Sequence, residues 1–202
     1  DRGLQQHTGV PVDGQDWIYR AQVVQARAVS LGIEHFRSHR GRCLGTIWWQ
    51  LNDLWPAVSW SLVDSARRRK LAWFALRRAY QPRLVTVQPR DGGLAAALVN
   101  DSPTPWRTSV LAERLDEFGQ PIASARDEIN VFVPPYDVRE VRLAESVTSS
   151  TQPRREAVRV RAGEATAWWW FVPGAELRLP NPAGQVVIEP TADPPISIQW
   201  TL

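Results

Sequence analysis

The sequence lacks methionine altogether and has one cysteine, three tyrosines and five phenylalanines in 202 residues. A single Cys43 excludes a disulfide within the chain. Beside an apolar run, such a thiol reads as a small buried apolar residue. No stretch approaches the length of a transmembrane helix. Charge of one sign is not in excess, since 24 basic and 21 acidic residues leave +3. A nucleic-acid binder would need a clustered basic face. The one basic run, Arg67-Arg68-Arg69-Lys70, is short and reads as a solvated helix start. Asp1-Arg2-Gly3-Leu4-Gln5-Gln6 has no signal-peptide pattern. Without any methionine the chain reads as a fragment, so the missing signal says nothing about compartment.

What the sequence does have is tryptophan, eleven in all. Hydrophobic residues at 44% and charged residues at 22% place it among folded globular chains. Trp48, Trp49, Trp55 and Trp60 fall in one stretch, Gly45-Thr46-Ile47-Trp48-Trp49-Gln50-Leu51-Asn52-Asp53-Leu54-Trp55-Pro56-Ala57-Val58-Ser59-Trp60. It opens as an apolar strand and turns polar at Gln50, Asn52 and Asp53. Trp rings beside amides and a carboxylate suit a sugar, whose apolar face stacks on a ring while its hydroxyls take hydrogen bonds. A Trp-rich core strand followed by a structural loop accounts for the same residues.

Residues 1–15 read as loop, punctuated by Gly3, Gly9, Pro11 and Gly14. Asp16 is the expected N-cap of a long helix from 17 to about 39, with Trp17, Ala21, Val24, Ala28 and Leu31 as its apolar stripe. His35 and His39 suit the dipole at its end, and no third metal ligand stands near them. Residues 43–51 read as a strand buried on both faces, as in a parallel sheet. Asp64-Ser65 would cap a second helix over 66–80, with Leu71, Phe74 and Ala75 inward and Trp73 alongside.

After Pro82, short strands alternate with turns. They are expected at 84–88, 94–100, 108–115, 129–133, 138–143, 157–161 and 167–172. Val158 and Val160 alternate with Arg159 and Arg161, as in a strand with one wet face. Asp91-Gly92-Gly93, Glu117-Phe118-Gly119 and Pro134-Pro135 read as turns. Seven strands over roughly 100 residues imply an immunoglobulin-like β-sandwich. Residues 146–155 read as a polar loop. Trp168-Trp169-Trp170-Phe171 reads as a core strand or, alternatively, a sugar-binding face. Two further strand-like runs, 185–189 and 196–202, suggest the start of another sandwich.

The stretch from Gly45 to Pro56, followed by Ser59-Trp60, resembles the last barrel strand of β-mannosidases in glycoside hydrolase family two. Gln22-Val23-Val24-Gln25-Ala26 and Glu34-His35-Phe36-Arg37 resemble the family's preceding helix. Asp64, Lys70 and Arg77-Arg78-Ala79-Tyr80-Gln81-Pro82 resemble its final barrel helix. Val99-Asn100-Asp101 is similar to the second strand of the domain that follows the barrel.

The resemblance implies the C-terminal part of a (β/α)8 barrel over 1–82, a β-sandwich over 83–182 and the beginning of a further sandwich over 183–202. It implies retaining hydrolysis of terminal β-D-mannose, with one Glu as acid and another as nucleophile. Both carboxylates would lie upstream of this chain, leaving the chain inactive alone. Glu117-Phe118-Gly119 matches the nucleophile's sequence but follows the last strand, and reads as a hairpin turn. Barrel sites sit at the C-terminal ends of strands, which places Trp49, Gln50, Asn52, Asp53 and Trp55 as sugar-binding residues.

Trp49 would floor the site, followed by a cis Trp49–Gln50 bond, and Asp64 would cap its helix. Strict alternation alone puts Trp48, Gln50 and Asn52 on one face and Trp49, Leu51 and Asp53 on the other. The implied partners are a β-mannoside oligosaccharide and the remainder of the barrel, with no cofactor, metal, nucleic acid or membrane. A related enzyme acting on galactosides, glucuronides or glucosamine, or a non-catalytic carbohydrate-binding sandwich, are the other readings.

Overall fold

The computed structural model describes residues 2–124 and 129–180, so the runs expected at 185–189 and 196–202 lie outside the described residues. Three helices come first: α1 (Arg2–Thr8), α2 (Gly14–Ser38) and α3 (Leu71–Ala79). The strands are β1 (Arg83–Arg90), β2 (Gly93–Asn100), β3 (Trp106–Leu115), β4 (Pro121–Ser124), β5 (Ile129–Val133), β6 (Asp137–Arg142), β7 (Ala157–Ala162) and β8 (Ala165–Trp170). A short helix α4 (Glu145–Thr148) lies between β6 and β7.

The strand-rich half is a sandwich of two antiparallel sheets. One has the order β1-β2-β6; the other runs β4-β3-β7-β8, with β5 also on β3. Its core is aliphatic: Val85, Leu98, Val133, Val147, Val158 and Val160 are fully buried. The alternation expected in β7 holds, with Arg159 and Arg161 outside on Glu113 of β3. Glu117-Phe118-Gly119 is the β3–β4 turn. Gly119 takes φ +76 there, and the Asp116 carboxylate accepts from the amides of Phe118 and Gln120 at 2.9 and 2.8 Å. Glu117 pairs with Arg155 at 2.6 Å.

Three sandwich expectations change. The short β4 had no alternating pattern to betray it. Residues 146–155 are not all loop, because α4 drops Val147 into the core. The 168–171 run is not simply core, because β8 is an edge strand. Trp169 and Phe171 pack inward, while Trp168 is exposed and stacks on Trp170 with centroids 6.0 Å apart.

β1 and β2 are buried on both faces. One face fills the sandwich, and helix α2 lies across the other, over the small side chains Ala95 and Ala97 and the polar Thr86 and Gln88. The contact is polar and specific. Arg37 binds Asp101 at 2.7 Å and the carbonyl of Ala79, and Arg40 pairs with the same aspartate. Arg90 reaches Ser38 at 2.9 Å, and Thr86 donates to Glu34 at 2.7 Å.

Burial pushes the Glu34 carboxyl above its ordinary 4.5, against the Thr86 hydrogen bond and the charges of Arg78 and Arg37. A raised acid pKa makes ionisation the costly event, so stability falls as pH rises from 4.5 through the folded-state value. Glu34→Gln keeps an oxygen for Thr86 and removes the charge. Its Tm should exceed the wild type's at pH 7, and the gain should vanish below about pH 4. Thermal melts at both pH values check this; a lower Tm for E34Q at pH 7 would mean that the two arginines outweigh burial.

The first 80 residues depart most from expectation. Residues 2–8 form a helix, and Gly9 ends it in the left-handed region (φ +78), its amide on the Gln5 carbonyl at 3.0 Å. The glycine read as loop punctuation is a helix cap. The N-cap of α2 is Asp13, whose carboxylate accepts from the Asp16 amide; Asp16 sits in the first turn, bonded to Val12 and Arg20. The inward face of α2 carries Val29 and Ile33, whereas Ala28 and Leu31 of the expected stripe are exposed.

Helix α3 starts at Leu71, five residues later than expected. Asp64 does not cap it, because its carboxylate closes a turn on the amide and guanidinium of Arg68. Ala72, Leu76 and Ala79 face inward in place of Leu71, Phe74 and Ala75. Together α2 and α3 form a second small core with Leu62, against which Trp48, Val63 and Trp73 pack. Residues 43–51 form no strand among the described residues. A strand exists only where a neighbour takes its hydrogen bonds, and here the pairing is limited to an isolated parallel bridge, Asn52 to Val63.

Candidate functional site

The polar end of the Trp-rich stretch is held from below. The Asp53 amide donates to the Val63 carbonyl and the Val63 amide to the Leu51 carbonyl, both at 2.9 Å. The Leu62 amide reaches the carbonyls of Gln50 and Leu51, and the Lys70 amide donates to the Leu62 carbonyl at 2.8 Å. Residues 50–53, 62–63 and the turn entering α3 are thus one hydrogen-bonded unit. The segment between them, 54–60, is a surface excursion whose two ends meet.

Those ends meet at Asp53. Its carboxylate accepts from Ser59 Oγ at 2.5 Å, Ser61 Oγ at 2.7 Å and Lys70 Nζ at 3.0 Å. The ammonium is fully engaged as well, with Ser61 Oγ at 2.7 Å and the Ser59 carbonyl at 3.4 Å. The side chains of Asp53 and Lys70 are only 4% and 11% exposed. The hydroxyls of Ser59 and Ser61, followed by Lys70, lower the Asp53 carboxyl to about 2, so it is ionised at any working pH. From the far side, Gln25 of α2 donates to the Trp60 carbonyl at 2.8 Å.

The residues expected to touch a sugar separate into two groups. Trp49 and Trp55 are 70% and 67% exposed, Asn52 is exposed, and Gln50 is half-buried. They lie along one segment as a ring–amide–ring series, with both rings and Asn52 open to solvent. Asp53 lies beneath, buried and saturated with donors. The Trp49–Gln50 peptide bond is cis. Strict alternation fails, since Trp49 and Leu51 are exposed while Asp53 is buried.

Sequence reasoning missed Ser59, Ser61 and Lys70 as members of this unit. One signal was present: Lys70 is the sole lysine among 24 basic residues. The expected solvated basic run is in fact a turn whose last residue points inward. Two open clefts lie nearby or apart. One, of about 650 Å³, runs between α2 and residues 57–70, past Gln25, Trp60 and Lys70. A larger one, of about 770 Å³, lies at the junction of α3 with the sandwich, away from the Trp-rich stretch, between Arg78, Trp106 and Trp168. Among the described residues no group of three or more His, Cys, Asp or Glu is placed to hold a metal ion.

No family model matches the chain. It is 40% identical over 79 residues to β-mannosidase B of Aspergillus niger, a match covering 38% of this chain and 9% of that enzyme. The enzyme of the same name from Aspergillus terreus gives the same identity and coverage. Among solved structures, the β-D-mannosidase of Dictyoglomus thermophilum superposes with a TM-score of 0.79 and 27% identity, over 89% of this chain and 22% of that one. The exo-chitosanase CsxA of Amycolatopsis orientalis shares the fold at a TM-score of 0.64 and 17% identity, over 84% of this chain and 21% of its own. The chain therefore spans about a tenth of the curated relatives it matches and about a fifth of the structural ones. In sequence over part of its length and in fold over most of it, this chain resembles the β-mannosidases of glycoside hydrolase family two.

Proposed function

We propose that this chain forms one wall of the sugar site of a retaining β-mannosidase that removes terminal non-reducing β-D-mannose from β-mannosides. In this reading residues 1–82 complete a catalytic (β/α)8 barrel and 83–182 are the sandwich that follows it. The observation that carries the proposal is the series of exposed Trp49, Asn52 and Trp55 with half-buried Gln50, on a hydrogen-bonded base, in a chain similar to a β-D-mannosidase along 89% of its length. Trp49 would floor the sugar ring, and Gln50, Asn52 and Trp55 would line its edge. The acid and the nucleophile would come from two glutamates outside this sequence.

Exposed apolar side chains support the barrel part of this reading. Ile47 is 97% exposed and Leu44 85%, in a segment whose backbone lacks a strand partner among the described residues. Covering each such side chain is worth about 1.5–3 kcal/mol, which neighbouring barrel strands would supply.

The test is hydrolysis by a longer protein carrying these residues with barrel sequence before them. Aryl β-mannoside should be cleaved with retention of configuration, and this chain alone should leave it intact. Cleavage of a galactoside, glucuronide or glucosaminide in its place would overturn the choice of sugar. Loss of no activity when the two upstream glutamates are replaced would overturn the mechanism.

A further inference from the structure

Asp53 is of the right chemical type to bond a sugar hydroxyl, but its surroundings leave it little capacity to do so. Both carboxylate oxygens are occupied, Oδ1 by Ser59 and Oδ2 by Ser61 and Lys70. The side chain is 4% exposed, beneath a segment whose rings are open to solvent. The groups it gathers come from both ends of one excursion: Asp53 precedes it, Ser59 and Ser61 close it, and Lys70 enters from the start of α3. Trp55 lies inside that excursion. A compact ammonium with three donors fits this narrow point, where a planar guanidinium would need a wider fork. The only lysine of the chain is the residue found there.

We propose that Asp53 is a positioning residue: with Lys70, Ser59 and Ser61 it ties the two ends of the 54–60 segment together and so sets the Trp55 ring at the edge of the sugar site. This rests on the β-mannosidase reading for its effect on turnover, while the tie itself is a property of this chain. A ring held in place contacts bound substrate and transition state alike. Its loss raises KM and leaves kcat nearly as it was. A carboxylate bonded to a sugar hydroxyl would act differently, through kcat and through discrimination between epimers.

The experiment compares wild type, Asp53→Asn, Trp55→Ala and the double variant in the longer protein, with aryl β-mannoside as substrate. D53N should raise KM about tenfold with kcat within about twofold, and the double variant should be no worse than W55A alone. A kcat fallen a hundredfold at unchanged KM, or effects of D53N and W55A that multiply, would overturn the proposal in favour of direct contact. Ser59→Ala removes one bond to the carboxylate and should shift KM the same way by a smaller factor. It serves where D53N fails to fold, and unchanged kinetics for S59A would then overturn the proposal.

A second readout needs no activity. Amine-reactive labelling of this chain, read at Lys70 by mass spectrometry, should be slow in wild type and at least about tenfold faster in D53N or S59A. Equal labelling would overturn the tie. A wild-type enzyme that cleaves no glycoside would overturn the mannosidase reading alone, and labelling would still decide whether Asp53 holds the segment.

Discussion

Trp49→Ala should lower kcat/KM for an aryl β-mannoside about 10- to 150-fold in a protein that carries the catalytic carboxylates. The figure follows from the apolar contact a large side chain gives when covered, about 1.5–3 kcal/mol, at about 1.4 kcal/mol per tenfold. The loss should be read together with folding. Trp49 is 70% exposed and lies outside both cores. Its removal from this chain should therefore change stability by no more than about 0.5 kcal/mol. Urea titration of the chain and steady-state kinetics of the longer protein separate the two. A rate change under about threefold would exclude Trp49 as the floor of the site; a large stability change would show that its ring packs on something within this chain.

The second large effect belongs to the sandwich. Asn100→Ala should destabilise the chain by about 2–4 kcal/mol, since each buried polar group left without its partner costs about 1–3 kcal/mol. Asn100 is fully buried at the end of β2. Its amide nitrogen donates to the carbonyls of Thr104 and Pro134 at 2.9 Å and approaches that of Val133 at 3.3 Å. Its oxygen accepts from the amide and hydroxyl of Ser102. One side chain thus joins the β2–β3 turn to the end of β5. Asp101 beside it carries the ion pairs to Arg37 of α2 and to Arg40 just past its end, so loosening here spreads to the helix–sandwich contact. Chemical denaturation followed by Trp fluorescence measures the loss, and a change below about 1 kcal/mol would mean that water replaces the amide without penalty.

The sandwich was legible because its information is local. Val158 and Val160 against Arg159 and Arg161 specify a face with a two-residue period, and Asp91-Gly92-Gly93 and Glu117-Phe118-Gly119 supply left-handed turns where the chain must reverse. β1 and β2 were legible as strands, but not as strands buried on both faces. Ala95 and Ala97 become meaningful only when α2 lies over them. The inward face of α2 was misread for a related reason. The helix has apolar residues around much of its circumference, and α3 and Leu62 select Val29 and Ile33 from among them.

At the candidate site, the sequence by itself determined which residue types stand at the end of the Trp-rich stretch, and through them the resemblance to β-mannosidases. Tertiary structure decided which of those residues face outward. Trp49, Asn52 and Trp55 are open to solvent, while Asp53 turns under them to meet Lys70. Neither the direction of a carboxylate nor the choice of its partner is encoded in its neighbours. Asp53 and Lys70 lie seventeen positions apart, and a charge is drawn inward only where a folded backbone brings an opposite charge and hydroxyl donors to the same point.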